Sequence, residues 1–149
     1  MENHQAEDGH IAILLEPGDL VLESIQETCD EYDIDSGVVV SAIGTVRNLN
    51  YHYVPTADLP KEEKWRNETF ELLGAWEIGT IDGMIANGEP HLHLVAFNGE
   101  QTVAGHLEEG CEAHIVGEVV IRPIEGLELE RRSDENEYNI SQLKQRSDR

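Results

Sequence analysis

Residues 90–107 read PHLHLVAFNGEQTVAGHL, and their alternation decides the class of fold. Leu92 and Leu94 take every second place between His91, His93 and Val95, the period of a strand with one face toward a core. Asn98-Gly99-Glu100 is a turn signal, and Thr102 to Leu107 resumes the extended pattern. Strands joined by so short an excursion fold back antiparallel.

The same signals continue on both sides. Glu112 to Arg122 predicts another strand beyond Gly110, and a short helix over 107–113 is a weaker expectation. Upstream, Asn87-Gly88 is a turn, and Glu68–Ile78 and Gly79–Ile85 read as paired strands, with Ile81-Asp82-Gly83 a tight turn or bulge. Residues 55–67 carry two prolines and mixed charges, the composition of an exposed loop. Leu49–Val54 alternates as a strand. Val38–Gly44 (VVVSAIG) is nearly all apolar, as expected of a central strand covered on both sides; Gly44 suggests a bulge or close backbone approach.

Gly9–Leu15 predicts a first strand, and Glu16-Pro17-Gly18-Asp19 a turn whose Asp19 caps a helix from Leu20 to Tyr32. Leu22, Ile25, Cys29 and Tyr32 lay one stripe toward a core, opposite Glu23, Gln26, Glu27 and Asp30. One early helix followed mostly by strands predicts an α+β fold, a largely antiparallel β-sheet flanked by one or two helices. The folded domain is expected over residues 9–130, between polar tails at 1–8 and 131–149.

The chain has 149 residues, a length that suits one domain with a proper core. Its 31 acidic against 10 basic residues give a formal charge of -21. Such self-repulsion favours a solvated acidic surface and works against a phosphate backbone or anionic membrane as direct partner. Cys29 and Cys111 form no CxxC and read as reduced, buried thiols. With no membrane-spanning run and no signal-peptide pattern at the start, a cytoplasmic location is expected. Trp65 and Trp76 lie outside any aromatic-basic pattern of single-strand binding, and no P-loop or GxGxxG occurs.

The distinctive chemistry is histidine. His91 and His93, two apart on a strand, leave the same face, and the hairpin brings His106 back toward them. Three imidazoles with an open position is the arrangement of a catalytic zinc. The plain alternative is three polar residues hydrogen-bonded on a sheet. His4, His10, His52 and His114 show no such pattern. Arg47, one of the few cations, is a candidate anion anchor, or else the partner of one of many carboxylates. Glu118, set among Val116, Val119 and Val120, is a candidate to orient a histidine, ligate the ion or act as general base; otherwise it faces solvent. Cys111 beside Gly110 reads as a small buried residue rather than a further ligand.

In order, Glu16-Pro17-Gly18-Asp19, Ser41-Ala42-Ile43-Gly44, Pro90-His91-Leu92-His93, Gly105-His106-Leu107 and Glu118-Val119-Val120-Ile121 resemble the PPC domain, the plant and prokaryote conserved domain. The resemblance covers about residues 9–122. It implies a compact subunit assembling as a homotrimer, and a family labelled DNA-binding. The chain lacks the Arg-Gly-Arg-Pro hook that supplies the basic minor-groove contact, so direct DNA binding is not expected; Ala104 stands where glycine is common. A remoter likeness, to acetolactate decarboxylase, implies zinc on His91, His93 and His106. Three functions remain open: a metal-binding, homotrimeric binding or regulatory protein with a small anion as ligand; a metal-dependent lyase or decarboxylase acting on a small oxo or hydroxy acid; or a structural trimer whose histidines hydrogen-bond across subunit interfaces.

Overall fold

A computed structural model describes residues 1–58, 67–133, 138 and 140–146. Strands β1 (Glu2–Gln5) and β2 (Ile11–Leu15) precede the helix α1 (Val21–Glu31). Then follow β3 (Ser36–Tyr53), β4 (Glu68–Ala86), β5 (Glu89–Phe97), β6 (Thr102–Leu107), β7 (Ala113–Pro123), β8 (Leu129–Arg132) and β9 (Gln142–Gln145). Seven strands form one antiparallel sheet in the order β1-β2-β7-β3-β4-β5-β6, and β8 pairs with β9. The last strand, β6, also pairs with β3. The pairings β3–β4, β4–β5, β5–β6 and β6–β3 therefore close a ring.

Burial drives this curvature. Ile11 and Ile13 of β2, Ile81 and Ile85 of β4, Leu92 and Leu94 of β5, and Ile121 of β7 are fully buried together. Each is worth about 1.5–3 kcal/mol once out of water. The helix contributes Val21, Ile25 and Cys29 to the same core, while Leu22 and Tyr32 pack at its margin. The α+β class, the single helix and the antiparallel sheet agree with the sequence reading.

Several local expectations change. Val38–Gly44 and the stretch from Leu49 to Tyr53 belong to one strand, β3, which stops one residue short of Val54; register shifts between Val39 and Ser41, Gly44 and Val46, and Val46 and Asn48 bend it without ending it. Only one face of the apolar run is covered: Val39 and Ala42 are buried, whereas Val40 and Ile43 are 46% and 50% exposed. Glu68–Ala86 is likewise continuous. It pairs with β3 on one side and β5 on the other, so Ile81-Asp82-Gly83 is not a turn. Gly83 is needed because a Cβ there would lie 2.1 Å from the His91 carbonyl oxygen.

Asn87-Gly88 joins β4 to β5 as read, and 107–113 holds a turn at Glu109-Gly110 instead of a helix. Asp19 does not cap α1. Leu20 occupies that position in an extended conformation with no side-chain bond, held by its bridge to Glu112. The Asp19 carboxylate instead accepts the Glu16 N–H and pairs with the Met1 amino group. The polar ends carry structure: β1 lies against β2, and β8 and β9 fall within 131–149 or at its edge. Residues 59–66 of the expected loop, Trp65 among them, and 134–137, 139 and 147–149 of the C-terminal stretch lie outside the described residues. Trp76 is buried in the core.

Gly44 makes the close approach anticipated for it: φ is +149°, and an added Cβ would lie 2.4 Å from the Val116 carbonyl oxygen of β7. Gly44→Ala is expected to cost on the order of 3 kcal/mol, from a strained φ and a displaced β3–β7 ladder. Urea unfolding checks this as a lowered midpoint at unchanged slope.

Candidate metal centre

The inward packing of Leu92 and Leu94 commits β5 to one orientation, which puts His91 and His93 on its outer face. Turning back through Asn98–Gln101, β6 sets His106 directly opposite His93. The return of β6 to β3 then sets His52 opposite His106. Four imidazoles from three strands meet. The rings of His52 and His106 stack with centroids 4.5 Å apart. His91 stands 4.6 Å edge-on to His106, His93 stands 5.5 Å from it, and the His91–His93 separation is 5.6 Å.

Glu108 closes one side. Its backbone N–H donates to the Asn50 carbonyl at 3.0 Å, and its Oε1 accepts from Nδ1 of His52. The same Oε1 lies 3.5 Å from Nδ1 of His106, beyond a hydrogen bond in this geometry, so that buried nitrogen has no hydrogen-bond partner. One donor atom from each of His52, His106 and Glu108 falls within 4.8 Å of the other two. The donor set that lies closest together thus differs from the His91, His93 and His106 of the sequence pattern, with His106 common to both.

Burial, reinforced by the neighbouring His91 and His52, lowers His106 to about 4, against the opposing pull of Glu108. His91 is lowered too, first by burial and then by the Arg131 guanidinium, which donates to the Met84 and Glu89 carbonyls at 2.8 and 2.9 Å. Both imidazoles are therefore neutral near pH 7, with a lone pair to offer a metal. These residues suit a borderline divalent ion: nitrogen donors predominate, one carboxylate adjoins them, and one buried nitrogen lacks a partner.

The other candidates lie elsewhere. Arg47 is paired with Glu112. Glu118 is exposed on β7, opposite Leu14 and Ile43, three strand spacings (about 14 Å along the sheet) from β5. Cys111 is buried against Asn50, its thiol pushed up to about 11. His4 pairs with Glu2 and His10 with Asp8, and His114 is an exposed strand residue. His52 and Glu108 are the residues that sequence reasoning missed. The alternation of Leu49–Val54 shows that His52 faces away from the buried Tyr51, but not that β6 arrives beside it.

A family model, the Plants and Prokaryotes Conserved (PCC) domain, matches residues 3–125. No curated protein matches the sequence. Among solved structures, a metal-containing protein of Archaeoglobus fulgidus is 26% identical, covering 90% of this chain and 91% of its own, with a TM-score of 0.71. A plant- and prokaryote-conserved protein of Pyrococcus horikoshii is 22% identical, covering 98% and 96%, with a TM-score of 0.73. A Bacteroides thetaiotaomicron protein described as a candidate DNA-binding protein is 16% identical, covering 96% of both chains, with a TM-score of 0.80. The latter two share the fold. The expectation from charge that direct DNA contact is absent finds no support in these relatives. No helix among the described residues is long and apolar enough to cross a membrane.

Titration of His106 predicts an acid-side loss of stability. An unfolded imidazole takes a proton near pH 6.5, whereas folded His106 resists until about 4. Between those values the unfolded chain binds more protons, so stability falls on acidification and the effect vanishes above the upper value. In metal-free protein, melting temperature should drop more steeply from pH 6.5 to 4 in the wild type than in His106→Asn. Equal slopes would refute the assignment.

Proposed function

The chain belongs to the Plants and Prokaryotes Conserved (PCC) domain family, and from that premise we propose that it is a metal-binding, homotrimeric protein of binding or regulatory function, with zinc held by His91, His93 and His106. The observation that carries this reading is the convergence of imidazoles from β3, β5 and β6 on one sheet face, with centroids 4.5–5.6 Å apart. Neutral imidazole suits zinc, and three protein donors leave a position for an outside ligand. A bound dication makes that ligand a small anion, in a chain whose own charge of -21 repels larger polyanions.

The trimer is supported by the apolar residues on the outer face of the sheet. Val95 and Phe97 continue the outward row of His91 and His93 along β5. Farther along the sheet, Leu14 of β2 and Ile43 of β3 flank Glu118 of β7 in register, and Val40 of β3 and Val116 of β7 are about half exposed. An apolar sheet face of this kind is costly in water and typical of an interface. A second and third copy of the chain are its proposed occupants, which places the metal site near a subunit boundary.

The lyase reading needs a base and an anion anchor at the metal. Glu118 is set on β7 and Arg47 is engaged by Glu112, so no observation favours it.

Metal analysis of the purified protein, paired with its native mass, tests the proposal. The expected result is about one zinc-class ion per chain in an assembly of three times the chain mass, with His93→Gln reducing bound metal at least tenfold. A wild-type protein that takes up no metal from a zinc solution overturns the metal assignment; a monomeric native mass overturns the trimer.

A further inference from the structure

Beside the three histidines stand two residues with no assigned part, Glu108 and His52. We propose that Glu108 is a fourth donor to the same ion, entering on the Nδ1 edge of His106, and that His52 is the positioning residue that holds the carboxylate there. This inference rests on the metal reading above and makes the centre a mixed imidazole–carboxylate one, at which an outside anion enters as a fifth ligand.

The separations carry the argument. Glu108 Oε1 and His106 Nδ1 are 3.5 Å apart. Two donors bonded at about 2.1 Å to one tetrahedral zinc are about 3.4 Å apart, so this pair already has the spacing of two ligands of a single ion. The His106 nitrogen is buried without a hydrogen-bond partner, an arrangement that folding otherwise avoids. A dication between Glu108 and this nitrogen gives both a partner.

The position of Glu108 is built into the backbone. Its N–H is tied to the Asn50 carbonyl, and Asn50 also holds the Glu109 carbonyl through Nδ2 and the Cys111 thiol through its backbone. The segment after β6 is thereby fixed to β3. His52, stacked on His106, donates its Nδ1 proton to Glu108, as outer partners of metal ligands commonly do. Glu109, next in sequence, is exposed and serves as a control.

The class of ion follows from the donors. Imidazoles with one carboxylate suit zinc, cobalt, iron or manganese as divalent ions and offer no soft sulfur donor for copper(I).

The test uses the full chain with cobalt(II) as a visible probe and zinc in competition with a chelator. Glu108→Gln should weaken zinc at least tenfold and move the cobalt absorption bands, because the donor set changes. His52→Gln should shift the bands and weaken zinc less, and Glu109→Gln should leave both unchanged. Should Glu108→Gln fail to fold, Glu108→Asp is measured instead; its shorter carboxylate is expected to weaken zinc and shift the bands in the same sense. Wild-type affinity and spectrum in the Glu108 variant, with binding still lost in His93→Gln, overturn the inference and leave the metal reading standing. No cobalt or zinc uptake by the wild type overturns both.

Discussion

The double pairing of β6, with β5 along one edge and with β3 along the other, is the constraint from which the rest of the molecule's chemistry follows. It lines up His93, His106 and His52 across three strands, and it leaves the segment after β6 beside Asn50, where Glu108 is held. Without the return to β3, His52 would sit at the end of a long strand and Glu108 in an open loop. The ring of strands is what brings a further imidazole and a carboxylate to a hairpin with histidines.

That pairing is stabilised from the opposite face. Leu92, Leu94 and Leu107 are buried with Leu49 and Tyr51, so β3, β5 and β6 present their polar residues outward together. Because the side-chain period of a strand is two, a slip of one residue in β5 would bury the histidines and expose the leucines, at a cost of several kcal/mol. Core packing thus holds the register of the site more firmly than any bond among the histidines. The lowered His91 and His106 follow from burial on the outer face instead, where the clustered rings and, for His91, the Arg131 guanidinium surround them.

The apolar outer face and the acidic remainder of the surface divide the molecule's interactions. Val40, Ile43, Val95 and Phe97 are exposed on the strands nearest the histidines, while the excess of carboxylates keeps other faces in water. Such a division favours association through one face over indiscriminate aggregation.

Much of this was legible in the chain itself. The alternation of residues 90–97 determined that His91 and His93 share a face, because a strand has no other way to place them once Leu92 and Leu94 are committed to a core. The turn at Asn98–Gln101 determined that His106 comes back toward them, and the stripe of Ile25 and Cys29 determined the helix. What only the tertiary structure decided is long-range: that β3 and β4 each run unbroken through bulges, that one side of Val38–Gly44 is left bare, and that β3 delivers His52. Local periodicity reports which face a residue occupies, but which strand lies beside it depends on how the sheet curves to bury the whole core. The pattern of three histidines was therefore readable from residues within 16 positions of one another, whereas His52 and its bond to Glu108, 56 positions apart, came only from the closed sheet.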